Sequence, residues 1–511
     1  MDVNVKPKKE YKYNLGLVIT LSIVCGILVT VAAAFIALSV WYRNTFDVDF
    51  KTLIQVITSP TTGTGTSTVN DIIRACVPTA VITAVVYSAL AVVFAMRKPL
   101  FRIFRIAGAS ICAASVVFSA IFTVSSFGID KYVETIGGDT NLYEQYYIDP
   151  NDVLITADGK PKNLIYIYLE SMETTYASKE AGGIQKDGNY IPGLTALTKE
   201  GVTFTDKDKG LLGGFHSTQG AKWTIAGLLS TTAGIPFAFP VGSNDMSDFK
   251  EFAPKLTTLG DILEEKGYKN EFLCGSDATF GGRRNYFTQH GNYEIFDLYT
   301  ARNEDYIAKN YKVWWGYEDK ILYDIARDEV TELAAGDQPF NFTMLTVDTH
   351  HVNGYVCDVC DKDKYGTLAP EDKLKTVVEC SDKLVTDFIE WCKTQDWYED
   401  TVIVITGDHP RMDKTLIGNT AFYDRTIYNC ILNSDVTPAE GSTANRTFTS
   451  LDMFPTTLAA MGFKIEGNRL GLGVNMFSGE KTVAERMGYD AFDLELGKKS
   501  QYYNDLTGFK G

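Results

Sequence analysis

A chain of 511 residues is too long for a membrane anchor alone and long enough for two to four domains of ordinary size. Apolar residues make up 45% of it, but the first 130 residues hold three long uncharged runs while the remainder alternates as a globular domain does. Two bodies in different solvents are implied, and the net charge of −16 speaks against a nucleic-acid partner and requires local cations or a metal to capture any anionic substrate.

In chain order, residues 1–13 form a basic N-terminus carrying Lys6, Lys8, Lys9 and Lys12. The first apolar run, Asn14 to Tyr42, exceeds as a helix the hydrocarbon thickness of roughly 30 Å. The second runs from Ala75 to Met96 and the third from Ile106 to Ile129, and each is long enough to span a bilayer. A cleaved signal peptide is the rival reading of the first run, but its apolar core is too long and two further spans follow. Arg97, Lys98, Arg102 and Arg105 fill the loop between the second and third runs, so the positive-inside rule puts that loop and the N-terminus in the cytoplasm. Three crossings then leave everything after about residue 130 outside the cytoplasm. The expected division is a membrane domain of three transmembrane helices over 14–129, a polar stem over 130–160 and a large extracytoplasmic domain over 161–511. Residues 43–74 read as an external loop, rich in Gly, Thr and Ser near Thr61 to Ser67.

Within the outer domain, Asn163 to Leu169 is a continuous apolar strand, Thr257 to Lys266 an amphipathic helix and Tyr268 to Leu273 another strand. Phe340 to Val347 and Thr401 to Thr406 are again buried-type strands, the latter preceded by a helical pattern from Lys373 to Trp391. Strands alternating with helices predict an α/β fold, a sheet with helices on both faces. Chemistry in such folds collects beyond the carboxyl ends of the strands. Glu170 follows one strand, Asp348 and His350 a second, and Asp408 and His409 a third.

Nine cysteines are present, of which Cys25, Cys76 and Cys112 lie in the spans as small packing residues. Cys357, Cys360, Cys380 and Cys392 cluster in the outer domain, where an oxidising setting permits a disulfide involving Cys380. The pair Cys357 and Cys360 offers zinc binding as the alternative, although no second CxxC follows at ribbon spacing.

Glu170, Asp408 and His409 supply two carboxylates and an imidazole at strand mouths, a donor set suited to Mn²⁺, Mg²⁺ or Zn²⁺. Taken singly, a strand-end acid is as readily a helix cap and a lone Asp-His pair as readily solvated. The glycine-rich segment GGFHSTQGAKWTIAGLLSTTAGIP, from Gly213 to Pro236, puts Thr224 near a helix N-terminus. Unpaired amides and the helix dipole favour an oxyanion or phosphate there, and a plain N-cap is the competing role for that threonine.

The strings NLIYIYLESMETTY, WTIAGLLSTTAGIP, VDTHHVNGY, ITGDHPRM and RLGLGVNMFSG resemble the phosphoglycerol transferases that decorate periplasmic glucans and, more distantly, lipoteichoic acid synthase. The resemblance runs from about residue 150 to the end and implies an alkaline phosphatase/sulfatase-like mixed sheet with helices on both faces; the three transmembrane helices read from the apolar runs precede it, and a membrane anchor there also fits the family pattern. It implies that Glu170, Thr224, Asp408 and His409 hold one divalent metal ion, Mn²⁺ before Mg²⁺ or Zn²⁺, with Thr224 also the nucleophile. It further implies that Arg283, His350 and Asp277 bind the substrate, with Arg284 competing for the role of Arg283. Lipoteichoic acid synthase has a tryptophan two positions before that arginine, where this chain has Gly281. The implied reaction moves glycerol phosphate from phosphatidylglycerol to a glycan, teichoic acid or polyglycerol phosphate acceptor through a covalent threonine intermediate.

A hydrolytic sulfatase would need a C/S-x-P-x-R string, and Cys76-Val77-Pro78-Thr79 lies in a span without the arginine. No P-loop is present, which disfavours kinase chemistry. The remaining alternatives are a phosphoethanolamine transferase and a non-catalytic ectodomain that keeps the fold without the chemistry.

Overall fold

The computed structural model describes residues 15–58, 67–95, 98–157, 159, 161–237, 250–313, 315–361 and 368–509. Its N-terminal part forms α1 (Leu15–Thr45), α2 (Phe50–Thr58), α3 (Ser67–Ala95) and α4 (Lys98–Phe127). The chain divides into two compact units, Met1–Phe46 with Gly65–Asp130, and Asp47–Thr64 with Lys131–Gly511.

The first unit is the bundle of α1, α3 and α4. Ile19–Thr45, Val69–Phe94 and Ile106–Phe127 are long and apolar enough to cross a membrane. Hydroxyls of the first helix fold back on its own backbone: Thr30 Oγ1 donates to the Gly26 carbonyl at 2.8 Å, and Ser39 Oγ to the Phe35 carbonyl at 2.8 Å. The second helix begins at Ser67, ahead of the sequence-based start at Ala75, because Asp71 and Arg74 sit one turn apart and pair at 3.5 Å. The basic residues that carry the expected orientation, Lys6, Lys8, Lys9, Lys12 and Arg97, lie outside the described residues, as do residues 61–66 of the Gly/Thr/Ser-rich loop.

The second unit is built on a six-stranded sheet. Its strands are β2 (Asn163–Leu169), β3 (Lys269–Cys274), β4 (Glu294–Phe296), β5 (Phe340–Leu345), β6 (Thr401–Gly407) and β7 (Asn429–Leu432). The order is β4-β3-β5-β2-β6-β7, parallel throughout except for β7 against β6. β5 and β6 are buried along their whole length, which is why their sequences read as continuous apolar runs and not as alternating ones. Pleating sends Ile165, Ile167 and Leu169 of β2 to one face, where the helices Asp319–Ala335 and Pro370–Cys392 cover them. Tyr166 and Tyr168 point to the other face, where Tyr168 Oη shares a hydrogen bond of 2.7 Å with Thr231 of the helix Thr224–Ala233. Helices therefore pack on both faces of a mixed sheet.

The amphipathic segment predicted over Thr257 to Lys266 is the helix Leu259–Glu265, with Thr258 and Asp261 forming a capping box. Residues 130–160, read as a polar stem, carry the helices Ile129–Ile136 and Leu142–Tyr146 and the strand β1 (Ile155–Ala157). β1 pairs antiparallel with β8 (Phe463–Ile465). The segment 47–58, read as loop, contains α2 and belongs to this second unit. Its start signal is Asp49, whose Oδ1 accepts the Thr52 N–H at 2.8 Å. Cys360 and Cys380 form a disulfide that ties the short helix Asp358–Asp361 to the helix Pro370–Cys392, while Cys357 and Cys392 keep free thiols.

One buried acid sets a pH dependence on stability. Glu271 of β3 is 3% exposed, and burial together with the neighbouring Glu329 carboxylate pushes it up to about 9 from an ordinary value of 4.5. The folded chain thus holds a proton that the unfolded chain releases at neutral pH. The resulting destabilisation is absent below about pH 4.5, grows as pH rises and is complete above about pH 9. Glu271→Gln is expected to raise the melting temperature at alkaline pH and to leave it nearly unchanged in acid. Equal shifts at both ends of that range would contradict the assignment.

Candidate active site

Register brings the first two acids together. Leu169 and Gly407 are paired across β2 and β6, so the residues that follow, Glu170 and Asp408, emerge side by side at the carboxyl edge of the sheet. Asp408 Oδ1 accepts the N–H groups of Ser171 and His409, both at 2.8 Å, which fixes that carboxylate against the two strand ends. Ser171 Oγ donates to Glu170 Oε1 at 2.7 Å, and the Glu170 N–H donates to Thr346 Oγ1 at 2.9 Å. His409 Nδ1 lies 2.8 Å from the Pro410 carbonyl, a contact that assigns the proton to Nδ1 and leaves Nε2 facing the acids. That Nε2 is 3.5 Å from both Glu170 Oε1 and Asp408 Oδ2.

Thr224 opens the helix Thr224–Ala233, and its Oγ1 is 3.4 Å from Glu170 Oε2 and 3.5 Å from His409 Nε2. The approach depends on Gly227 one turn on: a Cβ there would stand 2.1 Å from the Asp408 carbonyl oxygen. Glu170, Thr224, Asp408 and His409, taken from three separate regions of the sequence, thus share one small volume.

The electrostatics of that volume favour a cation. Burial raises the Glu170 carboxyl, but the imidazoles of His350 and His409 and the Ser171 hydroxyl outweigh it and hold the group at about 2. Burial and the Glu170 charge push Asp408 up to about 7. Burial works against the His409 imidazolium, yet Asp408 and Glu170 raise it above its usual value. Two buried carboxylates therefore compete for one compensating charge. Asp408 Oδ2 is buried with no hydrogen-bond partner among the described residues, and one donor atom each from Glu170, Asp408 and His409 lies within 4.8 Å of the others. An oxygen-rich set with one imidazole and an orphaned carboxylate oxygen fits a single divalent ion.

The other expected residues surround the cluster unevenly. His350 Nδ1 is 2.7 Å from the His351 carbonyl, and burial pushes the His350 imidazole below its usual value while Glu170 opposes that shift. Arg283 is 6% exposed; its Nε donates to the Phe280 carbonyl at 3.0 Å and its Nη2 to Ser276 Oγ and the Asp277 carbonyl. The Arg283 loop passes the helix Thr224–Ala233, since a Cβ on Gly281 would lie 4.0 Å from Ile225 Cγ2. Asp277 turns its carboxylate to the Thr279 N–H at 2.9 Å, and among the described residues neither it nor Arg283 hydrogen-bonds to the four-residue cluster. Arg284 is engaged elsewhere, in an ion pair with buried Asp297.

Sequence reasoning missed an aromatic wall. Trp315 has its ring centroid 5.3 Å from that of Phe280 and 4.6 Å from that of His350. No local pattern marks Trp315, because its place is fixed by a loop that follows β4. Beneath the site lies a second missed feature, a buried charge network. Glu173 accepts the Arg411 N–H at 2.7 Å and pairs with Arg425, while Arg411 pairs with Asp413 at 2.6 Å and donates to the Thr349 carbonyl at 2.6 Å. It ties together the loops that follow β2, β5 and β6.

A strand-end acid cluster joined by a threonine at a helix N-terminus, on a mixed sheet of this order, is the arrangement of an alkaline phosphatase-like fold. The sulfatase family profile matches residues 162–463, and the chain belongs to that family. Phosphoglycerol transferase I of Xanthomonas euvesicatoria is 30% identical over 310 residues, covering 60% of this chain and 42% of that protein. Phosphoglycerol transferase I of Escherichia coli is 32% identical over 344 residues, covering 66% of this chain and 41% of that protein. The chain therefore spans about two fifths of the length of the curated relatives it matches. Among solved structures, lipoteichoic acid synthase LtaP of Listeria monocytogenes superposes with a TM-score of 0.49 at 17% identity, over 66% of this chain and 81% of that one.

Proposed function

We propose that the chain is a membrane-anchored phosphoglycerol transferase that moves glycerol phosphate from phosphatidylglycerol to an extracytoplasmic glycan or teichoic acid acceptor. The observation that carries this reading is the convergence of Thr224 Oγ1 on Glu170 and His409, at 3.4 and 3.5 Å, in a chain about 30% identical to phosphoglycerol transferases. Glu170, Asp408, His409 and Thr224 would hold one divalent ion, Mn²⁺ by resemblance. Such an ion supplies Lewis acidity, which lowers the cost of ionising a hydroxyl and of placing charge on phosphoryl oxygens.

The chain's own groups do the rest. Thr224 Oγ1 attacks the phosphorus, the bond from phosphorus to the diacylglycerol oxygen breaks, and the diacylglycerol alkoxide takes up the proton that the threonine gave. Glycerophosphoryl-threonine remains. An acceptor hydroxyl then attacks the same phosphorus, the bond from phosphorus to Thr224 Oγ1 breaks, and the threonine oxygen takes up the proton that the acceptor loses, which returns Thr224 to its resting state. Arg283 and the amides at the start of the helix Thr224–Ala233 stabilise charge on the nonbridging oxygens, and His350 lines the phosphate pocket beside Trp315. Asp277 completes the pocket by holding the turn from which Arg283 projects.

The three apolar helices anchor the catalytic domain next to its lipid donor, with residues 1–13 in the cytoplasm and the domain from about residue 161 outside it. Full-length protein in mixed micelles with Mn²⁺, offered head-group-labelled phosphatidylglycerol and phosphatidylethanolamine in parallel, is expected to release diacylglycerol from the first only. Ethanolamine phosphate appearing on Thr224 would replace this reading with a phosphoethanolamine transferase, and turnover of neither lipid would remove it.

A further inference from the structure

The loop Ser217 to Trp223 leads into Thr224, and elements distant in sequence hold it at three points. Tyr489 Oη donates to the Ser217 carbonyl at 2.6 Å, and Asp493 Oδ1 accepts the Gln219 N–H at 2.6 Å. Both come from the helix Tyr489–Gly497. The third tie is Lys222 Nζ to Asp49 Oδ2 at 2.8 Å, with the ammonium 4.6 Å from the centre of the Phe422 ring. Asp49 comes from the far end of the chain, between α1 and α3.

Asp49 is held as firmly as it holds. While Oδ2 meets Lys222, Oδ1 caps α2 through the Thr52 N–H at 2.8 Å, and Thr52 is buried. Two residues earlier the Asp47 N–H donates to the Met412 carbonyl at 3.0 Å, and the Asp47 carboxylate pairs with Arg425 Nη1 at 2.8 Å. Met412 is three residues beyond His409, and Arg425 is the partner of Glu173. The segment that starts at Asp47 therefore touches the loop after one site residue and, through Asp49, the loop before another. Lys222 is only 8% exposed, so its pairing with Asp49 is poorly screened by solvent and restrains the stem of a side chain two residues from Thr224.

We propose that Asp49 is a positioning residue for the transfer reaction: acting through Lys222, it fixes the loop that presents Thr224, which makes the segment between the first two apolar helices a working part of the catalytic unit. The inference rests on Thr224 as the nucleophile. In-line attack tolerates little displacement, and an error of about 1 Å costs on the order of 100-fold in rate.

The test uses full-length protein in detergent micelles, as wild type, Asp49→Asn and Asp49→Glu. Hydrogen exchange of the amides of residues 217–224 is expected to accelerate by about tenfold in Asp49→Asn while the rest of the domain keeps its protection. In the same protein, kcat for diacylglycerol release should fall by about 10-fold to 100-fold with the donor KM unchanged, and Asp49→Glu should restore most of both. Unchanged exchange over 217–224, or unchanged kcat, would overturn the inference. So would a loss of protection spread over the whole domain with no rescue by glutamate, which is the signature of a merely structural acid. Wild type that turns over no lipid, yet shows the local exchange response to Asp49→Asn, would count against the transferase reading and leave the positioning of this loop by Asp49 standing.

Discussion

Thr224→Ala is expected to lower donor turnover by about 10³-fold or more without unfolding the protein. The side chain contributes one hydroxyl at the first turn of a buried helix, and among the described residues its hydrogen-bonding neighbours are Glu170 and His409, at 3.4 and 3.5 Å. Both distances are long for a structural hydrogen bond, so losing the hydroxyl costs the fold little. The preceding residue, Trp223, makes no side-chain cap to this helix, and Thr224 is its first residue, not its N-cap. An N-cap role would have predicted a stability loss of about 1 kcal/mol on truncation. The nucleophile role instead predicts a large rate loss at nearly constant melting temperature, with Thr224→Ser retaining part of the activity because it keeps the attacking oxygen. Diacylglycerol release and a thermal melt on the same preparations distinguish the two.

Glu173→Ala carries the second large effect, and it falls on stability. Glu173 and Arg425 are both fully buried, and the carboxylate also accepts the Arg411 N–H at 2.7 Å and the Thr175 hydroxyl at 2.9 Å. Removing the acid leaves the Arg411 amide without its acceptor and Arg425 with Asp47 and the Arg411 carbonyl as its remaining acceptors among the described residues, at a cost of about 3 kcal/mol. A fall in melting temperature on the order of 5–10 °C is expected. Glu173→Gln keeps an acceptor oxygen and should fall between the two. The damage should reach the site as well, because Arg411 holds the Thr349 carbonyl at 2.6 Å and with it the loop that carries His350. A melting temperature within about 1 °C of wild type would show that the network stores none of this energy.

These two residues also mark how far the sequence could be read. Glu170, Asp408 and His409 were visible as candidates because each follows an apolar run, and strand ends are local features. Their meeting depends on the pairing of Leu169 with Gly407 across β2 and β6, a register set by long-range burial and invisible in either string alone. Thr224 stood out by its glycine-rich approach, though nothing local tells that Gly227 exists to clear the Asp408 carbonyl. Glu173 passed unnoticed, since an acid four residues past a strand looks like any solvated loop acid until Arg425 arrives from far along the chain. Asp49 failed to register for a related reason: it sits between two apolar runs, where reading the chain as spans and loops assigns it to solvent. The start of α3 was set at Ala75 because hydropathy penalises Asp71 and Arg74 singly, whereas in the helix they compensate each other.

Mass spectrometry of the intact protein, stopped during turnover of phosphatidylglycerol with Mn²⁺ and no acceptor, tests the central claim most directly. Wild type is expected to gain the mass of one glycerophosphoryl group, mapped by fragmentation to Thr224 and removed when a polyol acceptor is added, while Thr224→Ala stays unmodified. Diacylglycerol release from wild type with no covalent adduct on residue 224, or the same adduct on the alanine variant, would contradict it.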